Sequence, residues 1–296
     1  MTHDAHFKSG YIAILGQPNV GKSTLLNKII GEPVAIVTAK PQTTRNRIIG
    51  ILNRPHMQAV FIDTPGYHSI PKLMNNFMLS EIERSIDESD IFCFLIDSDS
   101  DSPEQDDELM ERLKSKKPMV IVNKADLLTP EARQKLALEL KERWGLKELF
   151  FISAKTGDGV EELVREFEAR LKEGPPFFEG DIYTELPVRF LAAEAIREQA
   201  MELLHQEVPY GVAIEIVSFE EKPQITVIKA NIVVDRDSHK SMVIGKGGQM
   251  IKKIGTRARE KIEFMMADQK VFLELFVKVD PGWTTSLEKL RQYGYA

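Results

Sequence analysis

The first 170 residues alternate two textures. Short runs that are apolar throughout recur as "YIAIL" (11–15), "QAVFID" (58–63), "IFCFLID" (91–97), "PMVIVNK" (118–124) and "ELFFIS" (148–153). Between them come stretches with helical spacing, "STLLNKII" (23–30) and segments near 73–87, 103–116, 130–143 and 158–172. A strand buried on both faces has no polar side. Continuous apolar runs alternating with amphipathic helices therefore predict a mostly parallel sheet with helices on both faces, joined by right-handed crossovers. The pattern breaks at "KEGPPFFEGDIYTELP" (172–187), whose Pro and Gly content reads as a linker. Beyond it the order changes to a helix (188–206), strands at 211–219 and 225–235, a helix–loop–helix over 241–266 and a strand at 271–279. That α-β-β-α-loop-α-β order predicts a smaller α+β domain. The expected division is 8–174 for the first domain, 175–187 for the linker and 188–296 for the second.

Composition adds boundaries. The 296 residues suffice for about two domains. A hydrophobic content of 43% with 28% charged residues is that of a globular chain able to bury a core without disulfides. The single cysteine, Cys93, sits in an apolar run and reads as a buried inert thiol, which places the chain in a reducing, cytoplasmic setting. The opening "MTHDAHFKSG" lacks the apolar core of a signal peptide, and no apolar run approaches 18 residues. The net charge of −6 excludes coating of nucleic acid by bulk charge, so any such site must be a local basic patch.

The chemistry begins at "GQPNVGKS" (16–23), a G-x-x-x-x-G-K-[ST] loop between a strand and a helix. Gly16 and Gly21 let the backbone around Gln17, Pro18, Asn19 and Val20 curl so that successive N–H groups face phosphate oxygens, and the following helix presents its positive end. Lys22 supplies a point charge for the outer phosphates. Ser23, followed by Thr24, supplies a hydroxyl suited to Mg²⁺. "DTPG" closes the strand at 58–63: Asp63 serves the metal, and Gly66, beyond Thr64 and Pro65, offers an N–H to the γ-phosphate. "NKAD" (123–126) also ends a strand. With Asn123 and Lys124 beside it, Asp126 accepts hydrogen bonds from N1–H and the N2 amine of guanine, which adenine cannot supply, and an unpaired carboxylate would penalise the wrong base heavily. Ser153, Ala154 and Lys155 of "SAKTG" end the last strand, where a backbone N–H meets the guanine O6. Strand carboxyl ends are where open α/β sheets bind ligands.

This set resembles the P-loop class of GTP-binding domains over residues 10–172. The resemblance implies that a threonine of "AKPQTTRNRI" (39–48), Thr44, joins Ser23 and Asp63 around Mg²⁺ in the GTP state. Catalysis is then expected of Lys22, Thr44, Gly66 and Asn19. Tyr67 stands where Ras-like switches carry a water-orienting glutamine. The expectation is slow intrinsic turnover, with activation by a partner or by K⁺ held near Asn19, as in related "GxPNxGKS" proteins.

The second domain carries "VIGKGGQMIKKIG" (243–255). Its G-x-x-G segment, with Ile244, Gly245, Lys246, Gly247 and Gly248, lies between helices, as in KH modules whose loop clamps about four unpaired nucleotides. In the next helix, Ile251, Ile254, Ala258 and Ile262 are spaced to face a core, while Lys253, Arg257 and Lys261 fall four apart beside them, with Lys252 adjoining. Residues 240–261 hold seven basic residues against one acid, Glu260. The element order is that of the bacterial, type II KH form. Few aromatics are present, so recognition is expected to rest on backbone clamping and base-edge hydrogen bonds.

Together these motifs resemble the Era family of bacterial GTPases across nearly the whole chain. The resemblance implies a GTP-hydrolysing switch that binds the single-stranded 3′ end of the small-subunit (16S) rRNA and assists 30S subunit assembly, acting as a monomer. It implies GTP or GDP with Mg²⁺ as cofactors, GTP-favoured RNA binding, and peripheral contact with the inner face of the cell membrane. The alternatives are a membrane-associated regulatory GTPase whose C-terminal domain binds protein, and a GTPase acting on another RNA. Related RNA-modifying GTPases carry a terminal catalytic cysteine, which "LRQYGYA" lacks.

Overall fold

The structure, a computed structural model, describes residues 6–66, 73–100 and 102–295. Tyr67, which stands at the position of the water-orienting glutamine of Ras-like switches, lies outside the described residues. The chain forms two compact units. Among the described residues the first takes in 6–35, 44–66, 78–100 and 102–185, and the second 36–43, 73–77 and 186–295.

The first unit is the expected α/β domain. Strands β1 (Lys8–Leu15), β3 (Met57–Asp63), β4 (Ile91–Asp97), β5 (Met119–Asn123) and β6 (Phe150–Phe151) run parallel in the order β3-β1-β4-β5-β6. Helices α1 (Lys22–Ile30), α2 (Leu73–Glu88, of which 78–88 belong to this unit), α3 (Pro103–Leu113), α4 (Pro130–Trp144) and α5 (Val160–Arg170) follow strands or loops as the periodicity predicts. Inner strands are buried on both sides: Ile12, Ala13, Ile14, Phe61, Phe94 and Ile121 have no exposed surface. Such runs hold the parallel sheet because every side chain, on either face, removes apolar area from water. Cys93 is fully buried, and burial pushes its thiol up, consistent with an inert side chain.

Two features depart from the sequence reading. The pattern gave no strand between residues 15 and 58, yet β2 (Ile48–Arg54) pairs antiparallel with β3 at the sheet edge. The linker is also less free than its composition implies. It opens as a short strand, β7 (Lys172–Glu173), antiparallel to β1, and then runs along β2. Ile51 donates its N–H to the Tyr183 carbonyl (2.8 Å), Asn53 Nδ2 donates to Ile182 O (2.8 Å) and Thr184 Oγ1 donates to Ile49 O (2.7 Å). Gln58, fully buried, accepts from the N–H groups of Phe177 and Phe178 and donates to Phe178 O. These bonds cover an edge that would otherwise present unpaired backbone groups.

The second unit has the predicted α+β order. Helix α6 (Val188–Leu203) is followed by β8 (Ala213–Lys222), β9 (Ile225–Val234), α7 (Asp237–Ile244), α8 (Gln249–Met265) and β10 (Val271–Val279), with a final helix α9 (Leu287–Gln292) that the pattern did not reveal. The sheet order is β10-β9-β8, with β9 parallel to β10 and antiparallel to β8. One sheet face meets α6 and α8. Its core combines Ile228, Ala230 and Ile232 with Ala192, Ala195, Ile196, Ile254, Ala258 and Ile262, all fully buried. Alanines at facing positions let the helix backbones come close. No helix among the described residues is long and apolar enough to cross a membrane.

Candidate nucleotide site and nucleic-acid groove

The phosphate loop joins β1 to α1. Gly21 has φ +97°, and a Cβ there would lie 2.3 Å from Asn123 Nδ2. Only glycine allows both the turn and that approach. Gly66 is likewise pressed on Pro18, with 2.6 Å between an added Cβ and the proline ring. Lys22 is 6% exposed; its ammonium donates to Gly16 O (3.0 Å) and Gln17 O (2.7 Å). Asn19, on the same loop, is exposed with φ +62°.

Three oxygen-bearing side chains expected at the metal come together. Ser23 Oγ donates to Asp63 Oδ2 at 2.6 Å and lies 2.9 Å from Thr44 Oγ1, which itself is 3.4 Å from Asp63 Oδ2. Asp63 is fully buried and its Oδ1 has no hydrogen-bond partner. Burial raises the Asp63 carboxyl to about 6, against the pull of Lys22 and the hydrogen bonds from Ser23 and Thr44. Burial lowers Lys22 to about 8, opposed by Asp63. Two partly compensated buried charges beside an orphaned carboxylate oxygen are the electrostatics of a site that takes up further charged groups. Thr43 is placed elsewhere. Its hydroxyl donates to Lys40 O (2.6 Å) and lies 2.7 Å from Thr38 Oγ1, closing a turn.

The base end is assembled by Asn123, 2% exposed. Its Nδ2 donates to Val20 O (2.7 Å) and its Oδ1 accepts from Ala154 N (2.9 Å), so one side chain ties the phosphate loop to the "SAKTG" loop. Lys124 (φ +60°) pairs with Asp97 at the end of β4, a partner the motifs did not reveal. Asp126 is exposed in the single turn Ala125–Leu127, and Lys155 is exposed beyond the buried Ser153 and Ala154. Thr64 Oγ1 donates to Ile14 O (2.8 Å), fastening the end of β3 to β1.

In the second unit, residues 36–43 pack with α6: Val37 N–H donates to Glu198 Oε1 (2.9 Å), and Lys40 Nζ donates to the carbonyls of Met201 and Leu204. The G-x-x-G segment follows α7. Gly245, Gly247 and Gly248 have φ of +72°, +59° and +77°, and Gly248 caps α8. Lys246 and Gly247 are exposed. Beyond them a groove of about 480 Å³ runs between α8 and β10, lined by Ile251, Lys252, Gly255, Thr256, Arg259, Leu273 and Leu275. An added Cβ on Gly255 would lie 3.3 Å from Leu275, so this glycine sets how closely the helix meets the strand. Strand β10 pairs with β9 and forms the edge of this sheet.

The structure redistributes the expected basic stripe. Lys252 lines the groove and Lys253 is exposed, but Arg257 lies 3.9 Å from Glu202 and Lys261 is paired with Glu198, both on α6. Arg259, outside the predicted set, lines the groove instead. Ile251, predicted to face the core, is half-buried on the groove floor, whereas Ile254, Ala258 and Ile262 are buried as expected. The spacing Lys252–Thr256–Arg259 marks the groove face in retrospect.

Comparison with known proteins agrees with this geometry. A family described as "50S ribosome-binding GTPase" matches residues 11–124, and the KH domain family matches residues 207–284. GTPase Era of Geotalea uraniireducens is 44% identical, with 99% of both chains covered, and GTPase Era of Leuconostoc citreum is 43% identical over 99% of this chain and 98% of its own. Two solved structures each superpose with a TM-score of 0.94 over 98% of this chain and all of theirs. One is Aquifex aeolicus Era bound to GDP·AlF4⁻ (38% identical), and the other is Era in complex with MgGDPNP and nucleotides 1506–1542 of 16S ribosomal RNA (40% identical). The chain is a GTP-binding, GTP-hydrolysing protein with a C-terminal KH domain, and it belongs to the Era family of GTPases.

Proposed function

We propose that the chain is a GTP-gated clamp for the single-stranded 3′ end of small-subunit rRNA, acting in 30S subunit assembly. The observation that carries this reading is the groove between α8 and β10, walled by Lys252 and Arg259, on the helix that follows the exposed glycine loop. A strand lying there meets the positive charge of Lys252 and Arg259 and an aliphatic floor of Ile251, Leu273 and Leu275. The relative solved with nucleotides 1506–1542 of 16S rRNA supports the choice of RNA.

In the GTPase unit, Lys22 lies ready to exchange its carbonyl partners for phosphate oxygens, and the backbone of Gly66 packs close against Pro18 of the phosphate loop. Ser23, Thr44 and Asp63 form a hard-oxygen set with an unpaired buried oxygen, which fits Mg²⁺. When bound, the metal supplies charge neutralisation for the β- and γ-phosphates. Asn19 is our candidate ligand for K⁺, and intrinsic turnover is slow because Tyr67 replaces a water-orienting glutamine.

Gating follows from chain continuity. Thr44 belongs with Ser23 and Asp63, while the residues just before it, 36–43, pack on α6. Glu198 of α6 receives both Val37 N–H and Lys261 of α8, the helix that walls the groove. Whatever the nucleotide state changes there, it can alter RNA affinity only by the difference between the contacts of the two states.

The test is a titration with an oligonucleotide of the small-subunit rRNA 3′ terminus at fixed salt, with a non-hydrolysable GTP analogue and then GDP. Tighter binding with the analogue, abolished by Gly247→Asp, is expected. Equal binding in both states refutes gating while leaving the GTPase intact.

A further inference from the structure

The loop after β4 opens with Asp97 and Ser98, reads "DSDSDSPEQD" (97–106) and belongs to none of the nucleotide motifs. Strands β4 and β5 are parallel, with Asp97 beside Asn123, so the residues just past their ends travel side by side. Ser98 N donates to Asn123 O (3.1 Å), which continues the ladder by one bond. Two side-chain contacts go beyond what register requires. Asp97 Oδ2 pairs with the Lys124 ammonium, and Ser98 Oγ donates to the Lys124 carbonyl at 3.2 Å.

Lys124 has φ +60°, a left-handed conformation that is unfavourable for a residue with a Cβ and persists only where the surroundings over-determine it. Its carbonyl also accepts from Leu127 N–H at 3.0 Å, the bond that closes the single turn Ala125–Leu127 carrying Asp126. The Asp97 carboxylate is itself held at its second oxygen, where Oδ1 accepts from Asp99 N–H at 3.2 Å. As an ion pair alone, Asp97 and Lys124 contribute little to stability, because their side chains are 18% and 37% exposed and water screens them. Their place matters more than their energy: both side-chain contacts converge on the residue that opens the Asp126 turn.

We propose that Asp97 and Ser98 are positioning residues for guanine recognition: holding Lys124 by its ammonium and its carbonyl, they fix the turn that presents Asp126 to the base. The proposal rests on Asp126 reading the base. Asp126 is exposed on that turn, so its aim depends on how the turn is held and not on packing around its own side chain. Guanine offers the carboxylate N1–H and the N2 amine, whereas hypoxanthine offers N1–H alone. A carboxylate out of line forfeits more with guanine than with hypoxanthine, so the fault shows as lost preference and not only as weaker binding.

Asp97→Ala, Asp97→Asn, Ser98→Ala, Lys124→Ala and the Asp97→Ala/Lys124→Ala double variant of the full chain test this. The readouts are GDP and IDP affinities by calorimetry at fixed Mg²⁺, and Tm. Asp97→Ala is expected to weaken GDP binding about tenfold and IDP binding only about two- to threefold, so that the preference for GDP falls. Ser98→Ala is expected to shift the preference in the same direction by less. Asp97→Asn, whose side-chain oxygen can still accept from Lys124, is expected to recover most of it, and the double variant to be no worse than the more damaged single. If Asp97→Ala does not fold, Ser98→Ala and Lys124→Ala carry the test on the same ratio. A lowered Tm with the GDP-to-IDP ratio within about twofold of the native chain, or losses that add in the double variant, would overturn the proposal. Asp126→Asn separates the two failures. Guanine preference lost there but intact in Asp97→Ala refutes the positioning role alone, and preference retained there refutes the reading of the base and this proposal with it.

Discussion

The two ligand surfaces of this protein are built on opposite principles. At the nucleotide site Asp63 and Thr64 are fully buried, Asn123 and Lys22 are nearly so, and each side chain bonds to another part of the site. In the groove the polar residues Lys252, Thr256 and Arg259 are exposed. A buried network has little water to substitute for a lost partner, so each member matters much. An exposed basic groove acts through summed charge, in which each member matters little and salt weakens all of them. The first surface suits recognition of one small molecule, the second the tracking of a polyanion.

The sharpest way to break this comparison is at the guanine end. Asp126→Asn is expected to reduce GTP affinity on the order of 10⁴-fold and to favour xanthine nucleotides, read by nucleotide competition. Retained GTP preference would remove Asp126 from base recognition. Next in size, Gly21→Ala places a methyl 2.3 Å from Asn123 Nδ2 at φ +97°. A loss of roughly 100-fold in GDP affinity, about 3 kcal/mol, is expected by calorimetry.

At the groove, Gly247→Asp should weaken RNA binding about tenfold or more while GTP turnover persists. Nothing lies within 4 Å of an added Cβ there, so the positive φ of +59° and repulsion of phosphate, not a clash, would carry the loss. The smallest expected effects are those of Lys252→Ala and Arg259→Ala, each a few-fold in affinity with a salt slope lower by about one. Arg257→Ala and Lys261→Ala, whose partners are Glu202 and Glu198, should change that slope less. Equal slopes for all four would return the two α6-facing residues to the RNA surface.

Legibility in the sequence followed the range of the interactions. The phosphate loop, the strand-end motifs and the G-x-x-G turn are local, set by glycines and by the carboxyl ends of apolar strands, and the structure places them as read. Strand β2 was missed because "IIGILNR" follows a polar loop and pairs antiparallel at an edge, where no flanking helix announces it. The linker read as free because Pro and Gly say nothing about the buried Gln58 that holds residues 177 and 178.

The amino-acid sequence by itself determined the two-domain order, the nucleotide chemistry and the presence of a basic helix, because those depend on residue type at fixed spacing. The tertiary structure decided which side of α8 faces the groove, since a helix rotates its residues by about 100° each and only packing against β10 and α6 orients it. It also decided that the Gln17 side chain meets Ser102 O, and that Asn123 joins Val20 O to Ala154 N. Those pairings join segments distant along the chain, and no local pattern encodes them.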